Sequence, residues 1–143
     1  MKHLMLRGRA RTKGLVEAEA IVSDIPFGFW HGIDPSSGAI VNRRHPLYGE
    51  TVRNKVLVFP YGRGSTGNPG VFLEAVRNGA APAGIINITS EPMIIVCSIL
   101  AEACYQVRIP VIDGLDQDPI AAIRTGDTVR VDGERGIVQI TRK

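Results

Sequence analysis

Apolar and polar residues alternate in strand fashion along two stretches at the start of the chain, Leu4 to Ala10 and Leu15 to Val22, joined around Thr12-Lys13-Gly14. That pattern predicts a hairpin-like opening. In the second stretch Val16, Ala18, Ala20 and Val22 fall on one face and Glu17, Glu19 and Ile21 on the other. The two carboxylates are therefore expected on a solvated strand edge, not as an acid/base pair.

The pattern changes in the centre. Val56 to Phe59 is a continuous apolar run, as a strand buried on both faces requires. Pro60 ends it, and after a glycine-rich loop Asn68-Pro69 supplies helix-entry chemistry, with Asn68 expected as N-cap and Pro69 in the first turn. Val71, Phe72, Ala75 and Val76 recur at helical spacing as far as Gly79. A second short strand is predicted over Pro82 to Asn87 and a helix from about Met93 to Tyr105 with Ser90 as its N-cap. A third strand over Ile109 to Ile112 and a short helix over Ile120 to Arg124 behind Asp118-Pro119 follow, then a strand pair, Thr128 to Val131 and Ile137 to Thr141. Alternating strand and helix imply a parallel arrangement. The expected fold is α/β, with a short, mostly parallel central sheet, flanking helices and a β-rich flank, in one domain spanning residues 1–143.

Between Ser23 and Tyr48 the periodicity lapses. The segment is rich in Gly, Pro, Asp and Ser and holds Phe27, Phe29, Trp30, His31, His45 and Tyr48. Long loops in compact proteins tend to be binding surfaces, so its rings either cap the core or form a recognition surface. Neither histidine has a partner at metal-ligand spacing, so both are expected at the surface or in hydrogen bonds.

Composition narrows the function classes. A net charge of +3 agrees with an anionic partner, but the basic residues are scattered, so a nucleic-acid partner is not expected. No apolar run approaches the 18 or so residues of a membrane span, and the N-terminal residues lack a signal-peptide core. The chain is expected to be soluble and cytoplasmic. Its two cysteines, Cys97 and Cys104, stand about 10 Å apart along a helix, too far to bridge, and are expected as small core residues rather than metal ligands.

Candidate chemistry concentrates in Gly62 to Gly67, GRGSTG. Three glycines give the backbone freedom to turn and to approach a ligand, and the following helix points its unpaired N–H groups at the loop. Ser65 and Thr66 there either cap the helix or meet an anion beside Arg63. No GxSxG context or P-loop lysine is present.

The turn HPLYGE, KVLVFP, GRGSTG, NGAAPAGIIN, SEPM and IPVID, in that order, resemble the small subunit of the aconitase X group, over almost the whole chain. The resemblance implies a swivelling β/β/α domain that pairs with a larger subunit carrying an iron–sulfur cluster, with no metal ligand on this chain. It implies hydro-lyase activity on a small anionic substrate, with phosphomevalonate expected first and cis-3-hydroxy-L-proline second. A non-catalytic docking module is the expectation from a different class. The family's catalytic serine falls on Ser65, as proton acceptor; Arg63, Gly64 and Thr66 are then expected to bind substrate. Two departures stand out: Trp30-His31-Gly32-Ile33-Asp34 where the family usually carries two glycines before a DP turn, and Asn68-Pro69 where it is Gly- or Ser-rich.

Overall fold

The computed structural model describes residues 1–143. Eleven elements follow one another: β1 (Lys2–Arg7), β2 (Arg9–Ala10), β3 (Leu15–Val22), β4 (Val56–Phe59), α1 (Asn68–Arg77), β5 (Gly84–Asn87), α2 (Pro92–Tyr105), β6 (Val111–Asp113), α3 (Pro119–Ala122), β7 (Thr128–Asp132) and β8 (Ile137–Arg142). All eight strands join in the order β1-β8-β7-β3-β4-β5-β6-β2. No helix is long and apolar enough to cross a membrane.

The mixed α/β character is as expected, but the sheet is not mostly parallel. Three pairings are parallel, β3 with β4, β4 with β5 and β5 with β6, against four antiparallel ones. The terminal strands are no separate flank, because they complete the same sheet. Only Gly8 separates β1, at one end of the strand order, from β2, at the other, so the chain itself nearly closes a barrel. A side chain at Gly8 would bring a Cβ within 2.6 Å of the Asp113 carbonyl oxygen, which is why glycine stands at the closure.

The opening hairpin does not form either. β1 pairs with β8, while β3 spends its first half on β7 (Leu15 to Glu19) and its second on β4 (Ala20 to Val22). β3 is thus a central strand: Glu17 and Glu19 are exposed as expected, but not at an edge. Glu17 stands opposite Arg130, and Glu19 lies 3.9 Å from Lys55 Nζ.

Two apolar clusters account for the pattern of the central strands. Val56 and Val58 join Leu6, Ala20, Ile86, Ile112, Val129, Val131, Val138 and Ile140 inside the barrel. Leu57 and Phe59 point the other way, to a larger cluster with Phe72, Ala75 and Val76 of α1 and Ile94, Cys97 and Ala101 of α2. A strand sandwiched between two cores must be apolar at every position, which is the VLVF signature. Cys97 is buried as expected, and burial pushes its thiol up to about 12. Cys104 is not a core residue; it lies in the exposed last turn of α2, past the end of the packed face.

Candidate functional site

The parallel strands β3, β4 and β5 deliver their chains at one end of the sheet, and the loops after β3 and β4 meet there, as open α/β sheets commonly arrange their ligand sites. Phe27 forms a parallel bridge with Gly62, and Arg63 N donates to Phe27 O at 2.9 Å, so the long loop runs alongside GRGSTG. Between them lies a cleft of ≈ 360 Å³. Arg63, Gly64 and Ser65 line it, facing Trp30, His31 and His45. Thr66 is exposed and does not line it, so the expected quartet arrives as a trio.

Ser65 is half-buried. Its Oγ accepts a hydrogen bond from Gly67 N at 3.1 Å, and its carbonyl accepts one from Asn68 N at 3.2 Å. The N–H groups of Gly64, Ser65 and Thr66 have no acceptor within the protein. Of the loop's N–H groups, that of Gly67 is the one placed on the serine oxygen, at the mouth of α1, where the helix dipole favours negative charge. α1 begins at Asn68 with Gly67 at the N-cap and no capping side chain, which corrects the expectation of an Asn68 cap. The glycines also act differently from expectation. None of Gly62, Gly64 and Gly67 takes a left-handed φ. Gly62 and Gly67 are there for space: a Cβ would stand 2.5 Å from Ile94 at the first and 2.6 Å from the Trp30 ring at the second.

The loop's rings divide between the two roles. Phe27 and Phe29 are core residues, packed edge-on at 5.5 Å, whereas Trp30 is 52% exposed and lies across Gly67 with the His31 ring 3.9 Å away. His31 is exposed, with φ of 60°. His45 is 7% exposed and fully bonded: its Nδ1 accepts from Leu47 N at 3.0 Å, which leaves the proton on Nε2 to face Ser23 Oγ at 3.0 Å. The Ser23 hydroxyl in turn donates to Ile25 O at 2.8 Å. Burial, then the Arg63 charge, hold His45 below its ordinary 6.5.

That depression has a sign. The unfolded chain takes up a proton at His45 in a pH window where the folded chain refuses it, so the contribution to stability is complete above 6.5 and is lost as pH falls below it. The shifted carboxylates Asp34, Asp113 and Asp127 start from 3.8 and Glu74 from 4.5, all lowered, so their losses come at lower pH. The expected result is a fall in the urea midpoint between about pH 7 and about pH 5 that His45→Asn flattens. Equal slopes in both proteins would contradict the bonding assigned to the ring.

Sequence reasoning missed a second polar centre beyond β6. Burial raises the Asp113 carboxyl, but the hydrogen bonds from Arg11 Nε and Ser90 N, both 2.8 Å, with the Arg11 and Arg9 charges, outweigh it and hold the group low. Ser90 is therefore occupied here, and the N-cap of α2 is Glu91, whose carboxylate accepts from Met93 N at 3.1 Å. The charged residue at the end of a buried strand was the available signal. Asn68, which lines the cleft, was also missed as a site residue.

No group of three or more His, Cys, Asp or Glu side chains converges on a point where a metal could be held. With one cysteine buried and the other at the far end of α2, the donor set does not fit an iron–sulfur cluster.

The model of the aconitase X swivel domain matches residues 5–140. The phosphomevalonate dehydratase small subunit of Methanosarcina acetivorans is 37% identical over 142 residues, covering 99% of this chain and 94% of that protein. That of Methanocaldococcus jannaschii is 40% identical over 138 residues, covering 96% and 98%. The crystal structure of Thermococcus kodakaraensis aconitase X in its holo form superposes with a TM-score of 0.87 at 34% identity, over 97% of this chain and 99% of that one. By sequence and by fold alike, this chain belongs to the aconitase X swivel-domain family.

Proposed function

We propose that this chain is the small subunit of a two-subunit, cytoplasmic hydro-lyase that dehydrates (R)-5-phosphomevalonate to trans-anhydromevalonate 5-phosphate. The names of its relatives support this substrate over cis-3-hydroxy-L-proline. One observation carries the chemistry: Ser65 lines the cleft, with the Gly67 N–H bonded to its Oγ and unpaired backbone N–H groups in the same loop. Dehydration takes a proton from the carbon next to the carboxylate, leaves its electron pair in the new carbon–carbon double bond, and releases the hydroxyl of the neighbouring carbon. Ser65 is the acceptor of that proton. A serine oxygen is a weak base until negative charge on it is stabilised, and each such donor in a water-excluded site contributes about 3 kcal/mol. The family's iron–sulfur cluster belongs, in this proposal, to the large subunit that completes the enzyme.

Arg63 stands in the cleft wall without a carboxylate partner, free to bind the substrate's phosphate or carboxylate. A guanidinium binds such groups through two parallel hydrogen bonds and an ammonium does not. Arg63→Lys is therefore expected to lower kcat/KM about tenfold, mainly through KM; an unchanged KM would remove Arg63 from substrate binding. The proposal as a whole is tested by purifying the chain with its large subunit and following water loss from both candidate substrates. Turnover of neither refutes it, and turnover of cis-3-hydroxy-L-proline alone reassigns the substrate.

A further inference from the structure

Asn68 is polar, 1% exposed and lines the same cleft as Ser65. Its helix does not use it as a cap. The carboxamide instead ties together three backbone atoms from two loops: Oδ1 accepts from Phe29 N at 3.0 Å and from Trp30 N at 2.9 Å, while Nδ2 donates to Arg63 O at 2.8 Å. Chemistry fixes which end is which, since the reversed amide would set its NH₂ against two N–H donors and its oxygen against a carbonyl. The loops it joins are close. A Cβ on Gly28 would stand 3.3 Å from Arg63 Cβ and 3.5 Å from Asn68 Oδ1.

We propose that Asn68 is a positioning residue for Ser65, holding residues 63–67 at a fixed distance from the loop of Phe29 and Trp30; this rests on the role proposed for Ser65. The distance matters because an error of about 1 Å in a reacting group costs on the order of 100-fold in rate. Aspartate is the informative replacement. It has the same shape and keeps both acceptor contacts, but it sets a carboxylate oxygen against Arg63 O, and only when protonated does it regain a donor there. The charged and titratable neighbours are Arg63 on the same loop, His31 and His45 across the cleft, and Glu91 near Gly64 at the start of α2. Variant and wild type share all four, so comparing them isolates position 68.

In the assembled enzyme, Asn68→Asp is expected to lower kcat about 10- to 100-fold on (R)-5-phosphomevalonate, with KM changed by less than about threefold. A kcat within about twofold of wild type, or a loss carried by KM with kcat unchanged, overturns the proposal. If the wild-type pair does not turn the substrate over, the functional reading fails, and amide hydrogen exchange on this chain alone judges the anchor separately. Asn68→Ala is expected to speed exchange at Phe29 and Trp30 about tenfold or more, and Asn68→Asp to leave it near wild type. Unchanged exchange in Asn68→Ala overturns the anchoring itself.

Discussion

Replacing Ser65 with alanine is expected to lower kcat of the assembled dehydratase by about 10³-fold, the usual worth of a positioned base, while the subunit folds and assembles as before. The hydroxyl is half-buried, and its one bond within the protein is the contact from Gly67 N. α1 does not depend on it: the helix is held by Phe72, Ala75 and Val76 packed in the outer core and by proline in its first turn. The stability cost should stay near that of a lost capping contact, about 1 kcal/mol. Two measurements separate loss of the base from loss of structure. Thermal unfolding and gel filtration of the pair should match wild type, and hydrogen exchange into deuterated solvent at the carbon beside the substrate carboxylate should disappear together with turnover. A variant that keeps a tenth of wild-type activity, or that still exchanges that hydrogen, excludes Ser65 as proton acceptor.

How far this site was legible in the sequence depends on which interactions build it. The loop of Arg63, Gly64 and Ser65 and the helix behind it are local in sequence, and they were readable because proline and the apolar spacing mark the start of α1 to within one residue. That one residue mattered. In both long helices the proline was placed correctly and the cap was not, because a proline fixes the first turn without specifying which neighbour turns its side chain back. β4, β5 and β6 were legible because each is sandwiched between two cores, which leaves a continuous apolar run. The fate of β1 and β2 was not. Their alternation states only that one face is buried, and the partners come from the far end of the chain, Arg142 beside Lys2 and Asp113 beside Arg9. The same limit hid Asn68: a buried amide bonded to residues 38 or 39 positions away has no local periodicity to betray it.

Phe29→Ala is expected to destabilise the chain by about 3–5 kcal/mol and to lower its melting temperature by about 10–20 °C. The ring is fully buried, edge-on to Phe72 of α1 at 4.8 Å and to Phe27 at 5.5 Å, so its removal opens a void between the long loop and the helix that carries the site. The neighbouring ring provides the control. Trp30 is the larger side chain, yet it is 52% exposed, and Trp30→Ala should cost no more than about 1 kcal/mol. Size alone would rank the two the other way; burial decides the order. The packing defect should also reach the chemistry, because Phe29 N and Trp30 N are both bonded to Asn68 and the loop they belong to forms one wall of the cleft. At a temperature where Phe29→Ala remains folded, kcat of the assembled enzyme should therefore fall well before circular dichroism reports unfolding. Activity that simply tracks the folded fraction would mean that this wall gives the serine no support.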